Sequence, residues 1–146
     1  MIPEGYHSVT PSLTTRDSNS ALEFYNKAFG ATELFRLPGE NGKVNHAEFQ
    51  IGNSRMMISD EFPEWGSVAP EVGKGGSFMI YVEDCDGQYE QALAAGATSI
   101  SPPADQFWGD RTAHVADPFG YRWGLAQHVR DVSPEELEKG AAEWGK

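Results

Sequence analysis

The chain has 146 residues, enough for one domain of ordinary size or two half-domains that share a core, and too few for two independent domains. Apolar residues make up 39% and charged residues 23%, which excludes wholesale disorder and collagen-like repetition. Eleven Lys and Arg against 22 Asp and Glu leave a net charge of −11, a surface that repels nucleic acid and anionic membrane, so neither is an expected partner.

No apolar run approaches the roughly 20 residues of a membrane helix, and the opening MIPEGYHSVT lacks the charged and apolar regions of a signal peptide. The single cysteine, Cys85, has no partner for a bridge within the chain, and the expected compartment is a reducing cytoplasm.

Taken in chain order, the predicted elements occur twice. Val9, Pro11 and Leu13 alternate with Ser8, Thr10, Ser12 and Thr14, the period of a strand with one apolar face. Ala21, Leu22, Tyr25, Ala28 and Phe29 recur at helical spacing over about 19–29, with Asp17 or Ser18 as the cap and Gly30 as the left-handed stop. TELFRLPG follows, then VNHAEFQIG and SRMMISDE, two strands joined across Gly52-Asn53. The second copy runs GGSFMIYVE, a helix over about 85–95, TSISPP, DRTAHVAD and YRWGLAQHV, the last two joined by Asp117-Pro118-Phe119-Gly120. Gly30-Ala31-Thr32 and Gly96-Ala97-Thr98 stand 66 residues apart, which sets the period of the repeat.

Each copy therefore reads strand, helix, strand, strand, strand. The expected architecture is α+β: two βαβββ modules whose curved mixed sheets form a cleft, with the helices outside. The expected organisation is a first module over 1–60, a linker over 61–74, a second module over 75–130 and a helical tail over 131–146, in one structural domain. A helix on one face leaves the other face of each sheet bare, and pairing two bare faces, in one chain or across two, encloses a ligand cleft. The linker FPEWGSVAPEVGK, with Trp65, is read as a solvated connection or a lid. In the tail, Ser133, Pro134 and Glu136 form a helix-start signal for an amphipathic segment that packs on the body or on a partner.

This duplicated module, with Phe24-Tyr25 and Phe29-Gly30 in its first helix and Asp117-Pro118-Phe119-Gly120-Tyr121-Arg122-Trp123 before its last strand, resembles the vicinal oxygen chelate superfamily over about residues 7–129. That superfamily includes glyoxalase I, extradiol dioxygenases, fosfomycin-resistance enzymes and bleomycin-binding proteins. His46-Ala47-Glu48, Asp60-Glu61-Phe62-Pro63 and Gln106-Phe107-Trp108-Gly109-Asp110-Arg111 resemble its PhnB-like branch. The resemblance implies metal ligands on the open faces of four strands. Carried over by position, three of those places hold Thr10, Ser77 and Gly124, and the fourth falls near Met57 or Ser59. A divalent ion prefers imidazole and carboxylate donors, so the usual metal site is expected to be missing and no cofactor is implied, with a displaced divalent ion left open. His7 lies three residues upstream of the first ligand place, on the opposite strand face, and is not expected to replace it.

Strand parity sends Ala47, Phe49 and Ile51 to the helix and His46, Glu48 and Gln50 to the cleft. It likewise sends Thr112, His114, Arg122, Gly124, Ala126 and His128 to the cleft. Glu48 and His114 hold matching places in the two copies, and a carboxylate facing an imidazole can exchange protons with a substrate, which makes them the candidate catalytic pair. Against that stand a structural pairing of Glu48 with Arg122 or His114, and a noncanonical metal site from His46, Glu48, His114 and His128. The candidate ligand-binding set is His46, Met57, Ser59, Trp65, Ser77, Met79, Trp108, Arg122 and His128, whose thioethers and flat rings suit a partly planar organic molecule or serve as core and interface filling. The expected function is metal-free binding of a small organic molecule, as in bleomycin-resistance proteins, by a homodimer; the alternative is a lyase, isomerase or dioxygenase using Glu48 and His114 or a displaced metal. Whether the protein is an enzyme, and which molecule it takes, the sequence leaves open.

Overall fold

The computed structural model describes all 146 residues. It holds eight strands and three α-helices: β1 (Ser12–Thr15), α1 (Ser18–Phe29), β2 (Thr32–Pro38), β3 (Val44–Ile51), β4 (Ser54–Asp60), β5 (Ser77–Tyr81), α2 (Cys85–Ala95), β6 (Thr98–Asp105), β7 (Asp110–Ala116), β8 (Arg122–His128) and α3 (Pro134–Glu143). The duplicated βαβββ order is present. The first module forms a sheet in the order β1-β4-β3-β2 and the second one in the order β5-β8-β7-β6. In each, the first strand pairs in parallel with the last and the remaining pairs are antiparallel. No helix is long and apolar enough to cross a membrane.

The helices start and stop where short-range chemistry dictates. The Asp17 carboxylate accepts from the Ser20 amide at 3.1 Å and that of Asp84 from the Gly87 amide at 3.1 Å, satisfying donors that an α-helix leaves open at its first turn. Gly30 and Gly96 end α1 and α2 with φ of 72° and 117°, a backbone state that costs glycine little. Ser133 and Glu136 form a reciprocal capping box at the start of α3.

One continuous core joins the modules. α1 and α2 pack on each other, and Tyr25 and Phe29 of α1 lie against Trp123 of β8 at ring centroid distances of 5.2 and 4.8 Å. Beneath them the buried Asp117 accepts four hydrogen bonds: from the Phe119 and Tyr121 amides at 2.8 and 3.0 Å, from Tyr25 Oη at 2.6 Å and from Trp123 Nε1 at 2.8 Å. The turn between β7 and β8 is thereby tied to the first module's helix. A second tie is Tyr121, whose hydroxyl accepts from the Thr14 amide and donates to the Thr14 carbonyl, both at 3.0 Å. In the first module the buried Asp60 accepts from the Ser18 and Val44 amides, each at 2.7 Å, and holds α1 to the start of β3.

The first strand departs from expectation. β1 begins only at Ser12, so Val9 is 84% exposed and Thr10 precedes the sheet, its hydroxyl donating to the His7 carbonyl at 3.4 Å. Pairing with β4 starts where the Met57 amide donates to the Pro11 carbonyl, and Pro11 has no N–H to extend a ladder backwards. Residues 1–9 form an arm in which Tyr6 alone is not fully exposed.

Between the sheets, Pro63–Trp65 makes one 3₁₀ turn, with Trp65 exposed and its ring 5.2 Å from that of Phe62. The tail helix lies against the loop between β6 and β7. Trp144 sits 6.2 Å from both Phe107 and Trp108, and Gly140 packs so closely on the Phe107 ring that a β-carbon there would stand 2.4 Å from it.

Candidate functional site

Each sheet buries the face that carries its helix and leaves the other open. On the first, Leu13, Ala47, Phe49 and Ile58 are buried, while His46, Glu48, Gln50, Met57 and Ser59 lie half-buried on the opposite side. Phe35 and Leu37 of β2 add exposed apolar area there, opposite Glu48 and His46 in the register. On the second sheet, Ala113, Val115, Trp123 and Leu125 are buried, and Ser77, Met79, Tyr81, Arg122, His114 and His128 stand on the open side. The strand parity predicted for β3, β7 and β8 matches this burial. Thr112 and Ala126 share the open side yet are buried by their neighbours.

Glu48 is the best connected polar group of the first face. One carboxylate oxygen accepts from the Tyr6 hydroxyl, and the other lies 3.0 Å from His46 Nε2. Its partners within the chain are thus Tyr6 and His46, not the Arg122 or His114 of the structural alternative. Tyr6 escaped sequence reading because it arrives on an arm with no periodicity. The guanidinium of Arg55 lies 5.3 Å from the Tyr6 ring centroid, a cation–π geometry, and Arg55 also donates to Gln50 Oε1.

His114 has its own partner, Ser101 Oγ, 3.1 Å from Nδ1. Neither candidate for proton transfer is bonded to the other: each is held by a residue of its own module. His128 belongs to a third group. Its Nδ1 lies 2.8 Å from the buried Asp110 and its Nε2 2.7 Å from the exposed Asp131, while Tyr81 donates to the second Asp110 oxygen at 3.0 Å. The two carboxylates, Asp110 foremost, hold the His128 imidazole above its ordinary range, and the Asp110 hydrogen bond raises the Tyr81 phenol.

The four residues of the noncanonical metal arrangement are dispersed accordingly. His46 and Glu48 form one pair, while His114 and His128 have separate partners, and nowhere do three His, Cys, Asp or Glu side chains gather in a geometry suited to an ion. At the ligand places implied by resemblance, Thr10 has left the sheet, Ser77 offers a hydroxyl on an edge strand and Gly124 offers nothing. The space above Gly124 is taken: a β-carbon built there would lie 2.7 Å from Met79 Cε, 2.8 Å from its sulfur and 3.3 Å from the His114 ring. The thioether and imidazole of neighbouring strands occupy the volume where a donor side chain would stand.

A groove of about 500 Å³ runs along the seam between the β3–β4 turn and β5, bringing Ser77 and Met79 together with Tyr81, Ile51 and Met56. Trp108 is packed instead in the aromatic cluster with Phe107 and Trp144, and Trp65 remains outside on the connecting segment. Arg122 begins β8 opposite Ser77, with its side chain exposed.

A sequence model of the glyoxalase/bleomycin resistance protein/dioxygenase superfamily matches residues 6–125. The uncharacterised Mycobacterium bovis protein Mb0911c is 39% identical over 143 residues, covering 94% of each chain. Among solved structures, TioX from a Micromonospora species superposes with a TM-score of 0.69 at 24% identity, over 84% of this chain and 99% of its own. A PhnB protein from Bacillus cereus superposes with a TM-score of 0.60 at 18% identity, over 83% and 99%. At those identities the two structures testify to the fold alone.

Proposed function

This chain belongs to the glyoxalase/bleomycin resistance protein/dioxygenase superfamily, and from that premise we propose that it is a binding protein that takes a small organic molecule on the open faces of its sheets without a divalent ion. The observation that carries the reading is the donor chemistry at the Gly124 position, which has no side chain and lies beneath the end of the Met79 thioether. With Gly124 covered, and with hydroxyls at Thr10 and Ser77, the implied ligand places offer none of the imidazole or carboxylate donors that hold a divalent ion. What they offer instead is surface: Phe35, Leu37, Met79 and Tyr81 expose apolar area whose burial is worth roughly 25 cal/mol per Å².

The same exposed faces support a homodimer in which the first sheet of one chain covers the second sheet of its partner, placing Glu48 opposite His114 and closing the cleft. Within the superfamily we place the protein with the PhnB-like branch, on the His46-Ala47-Glu48, Asp60-Glu61-Phe62-Pro63 and Gln106–Arg111 stretches. We place it in the cytoplasm, where the buried thiol of Cys85 stays reduced.

Two measurements on protein purified without chelator test the reading. Elemental analysis is expected to return no stoichiometric zinc, iron or manganese, and the neutral apolar dye Nile red is expected to bind saturably and to gain fluorescence. One tightly held divalent ion per chain, or no saturable dye binding, would overturn it.

A further inference from the structure

The arm that precedes β1 is fastened to the body through the Tyr6 side chain and the Glu4 carbonyl. Of residues 1–9 only Tyr6 is withdrawn from solvent, and its side chain is held by two groups of the first sheet, Glu48 and Arg55. Its hydroxyl donates to Glu48, its ring lies under the Arg55 guanidinium at 5.3 Å, and Arg55 Nη1 fastens the arm by donating to the Glu4 carbonyl at 3.2 Å. Arg55 is itself steadied by Gln50 at 3.3 Å, and Glu48 by His46 at 3.0 Å. Within the arm Tyr6 makes only the local turn bond from its amide to the Pro3 carbonyl.

A carboxylate accepts and never donates, and a guanidinium is attracted to the face of an aromatic ring. Together they define a subsite for a flat ring with a hydrogen-bond donor on its edge, and Tyr6 is such a ring. We propose that Tyr6 is an intramolecular occupant of a ligand subsite built by Glu48, His46, Gln50 and Arg55, and that the ligand class of this cleft is an aromatic ring carrying an O–H or N–H donor, which binds by displacing the arm. The proposal rests on the binding function argued above and adds its chemistry. A tethered occupant lowers the apparent affinity of any competitor by the fraction of time it vacates the subsite, so an arm in place about nine-tenths of the time costs roughly tenfold.

The probes are p-cresol, which has ring and donor, and 4-methylanisole, which has the ring and an acceptor only. Binding to the full-length protein is followed by calorimetry, with Nile red in parallel as a reporter of the apolar faces. Tyr6→Ala is expected to bind p-cresol roughly tenfold more tightly than the native chain and to prefer it over 4-methylanisole, and Tyr6→Phe to fall between. Adding Glu48→Leu to Tyr6→Ala removes the acceptor and is expected to erase that preference while Nile red binding persists. Equal p-cresol affinity in the native chain and Tyr6→Ala, or no preference for the donor in Tyr6→Ala, overturns the proposal. If Nile red binds and p-cresol binds none of the variants, the subsite assignment falls and the binding function stands; if Nile red is not bound either, both fall.

Discussion

Replacing Asp117 with Asn exchanges one oxygen for an amide nitrogen at the point where the two modules are tied. The native carboxylate serves four donors, two at each oxygen, between Tyr25 and Trp123 side chains that are 0% and 1% exposed. An Asn that keeps its oxygen toward the Phe119 and Tyr121 amides turns its NH₂ toward Tyr25 and Trp123. The Tyr25 hydroxyl can rotate and accept, but the Trp123 indole N–H can only donate and is left facing another donor. A buried unsatisfied donor costs about 1–3 kcal/mol, and loss of charge-assisted bonds raises the total to about 3 kcal/mol. For a chain of this size that corresponds to a fall in Tm of about 6–12 °C. Urea unfolding followed by both tryptophan fluorescence and far-ultraviolet circular dichroism measures the change, with Tyr25→Phe as a milder companion that leaves Asp117 three donors. A loss below about 0.5 kcal/mol for Asp117→Asn would refute the claim that this carboxylate ties the modules.

The His128 imidazole, raised by Asp110 and then Asp131, should titrate above the ordinary range in an NMR experiment and return toward it in Asp110→Asn. Because its folded-state value is the higher one, the stabilisation from this clip is fully present below the unfolded value of about 6.5 and is lost as pH rises through the folded value, so native and Asp110→Asn proteins should converge in stability at alkaline pH. Sedimentation should give twice the chain mass of 16.0 kDa at micromolar concentration. Charges placed on both open faces, as in Phe35→Asp with Met79→Asp, should yield folded monomer; an unchanged dimer would show that these faces are not the interface.

The architecture was legible because the chain is written twice. Alternation at Ala47, Phe49 and Ile51 and at Ala113 and Val115, together with Gly30 and Gly96 closing their helices, specified the period, the faces and the ends. Val9 shows where alternation misleads, since a strand needs a neighbour to pair with, and β4 gives β1 none before Pro11. The polar contacts were legible only where register could be counted. Ala116 pairs with Arg122 across the turn, and counting six residues outward on each strand brings Asp110 beside His128, a pairing hidden in the sequence but available from the hairpin. Tyr6 on Glu48 had no such signal, because an aperiodic arm is placed by a few long-range contacts and no local pattern records them.

We have proposed that the open faces of two chains close around an organic molecule with no ion between them. Native mass spectrometry of protein purified directly from cells, without chelator, tests this in one spectrum. A dimer carrying an organic adduct that is lost on activation, with no metal mass, is the expected result; a monomer, or a dimer with one divalent ion per chain, would contradict the proposal.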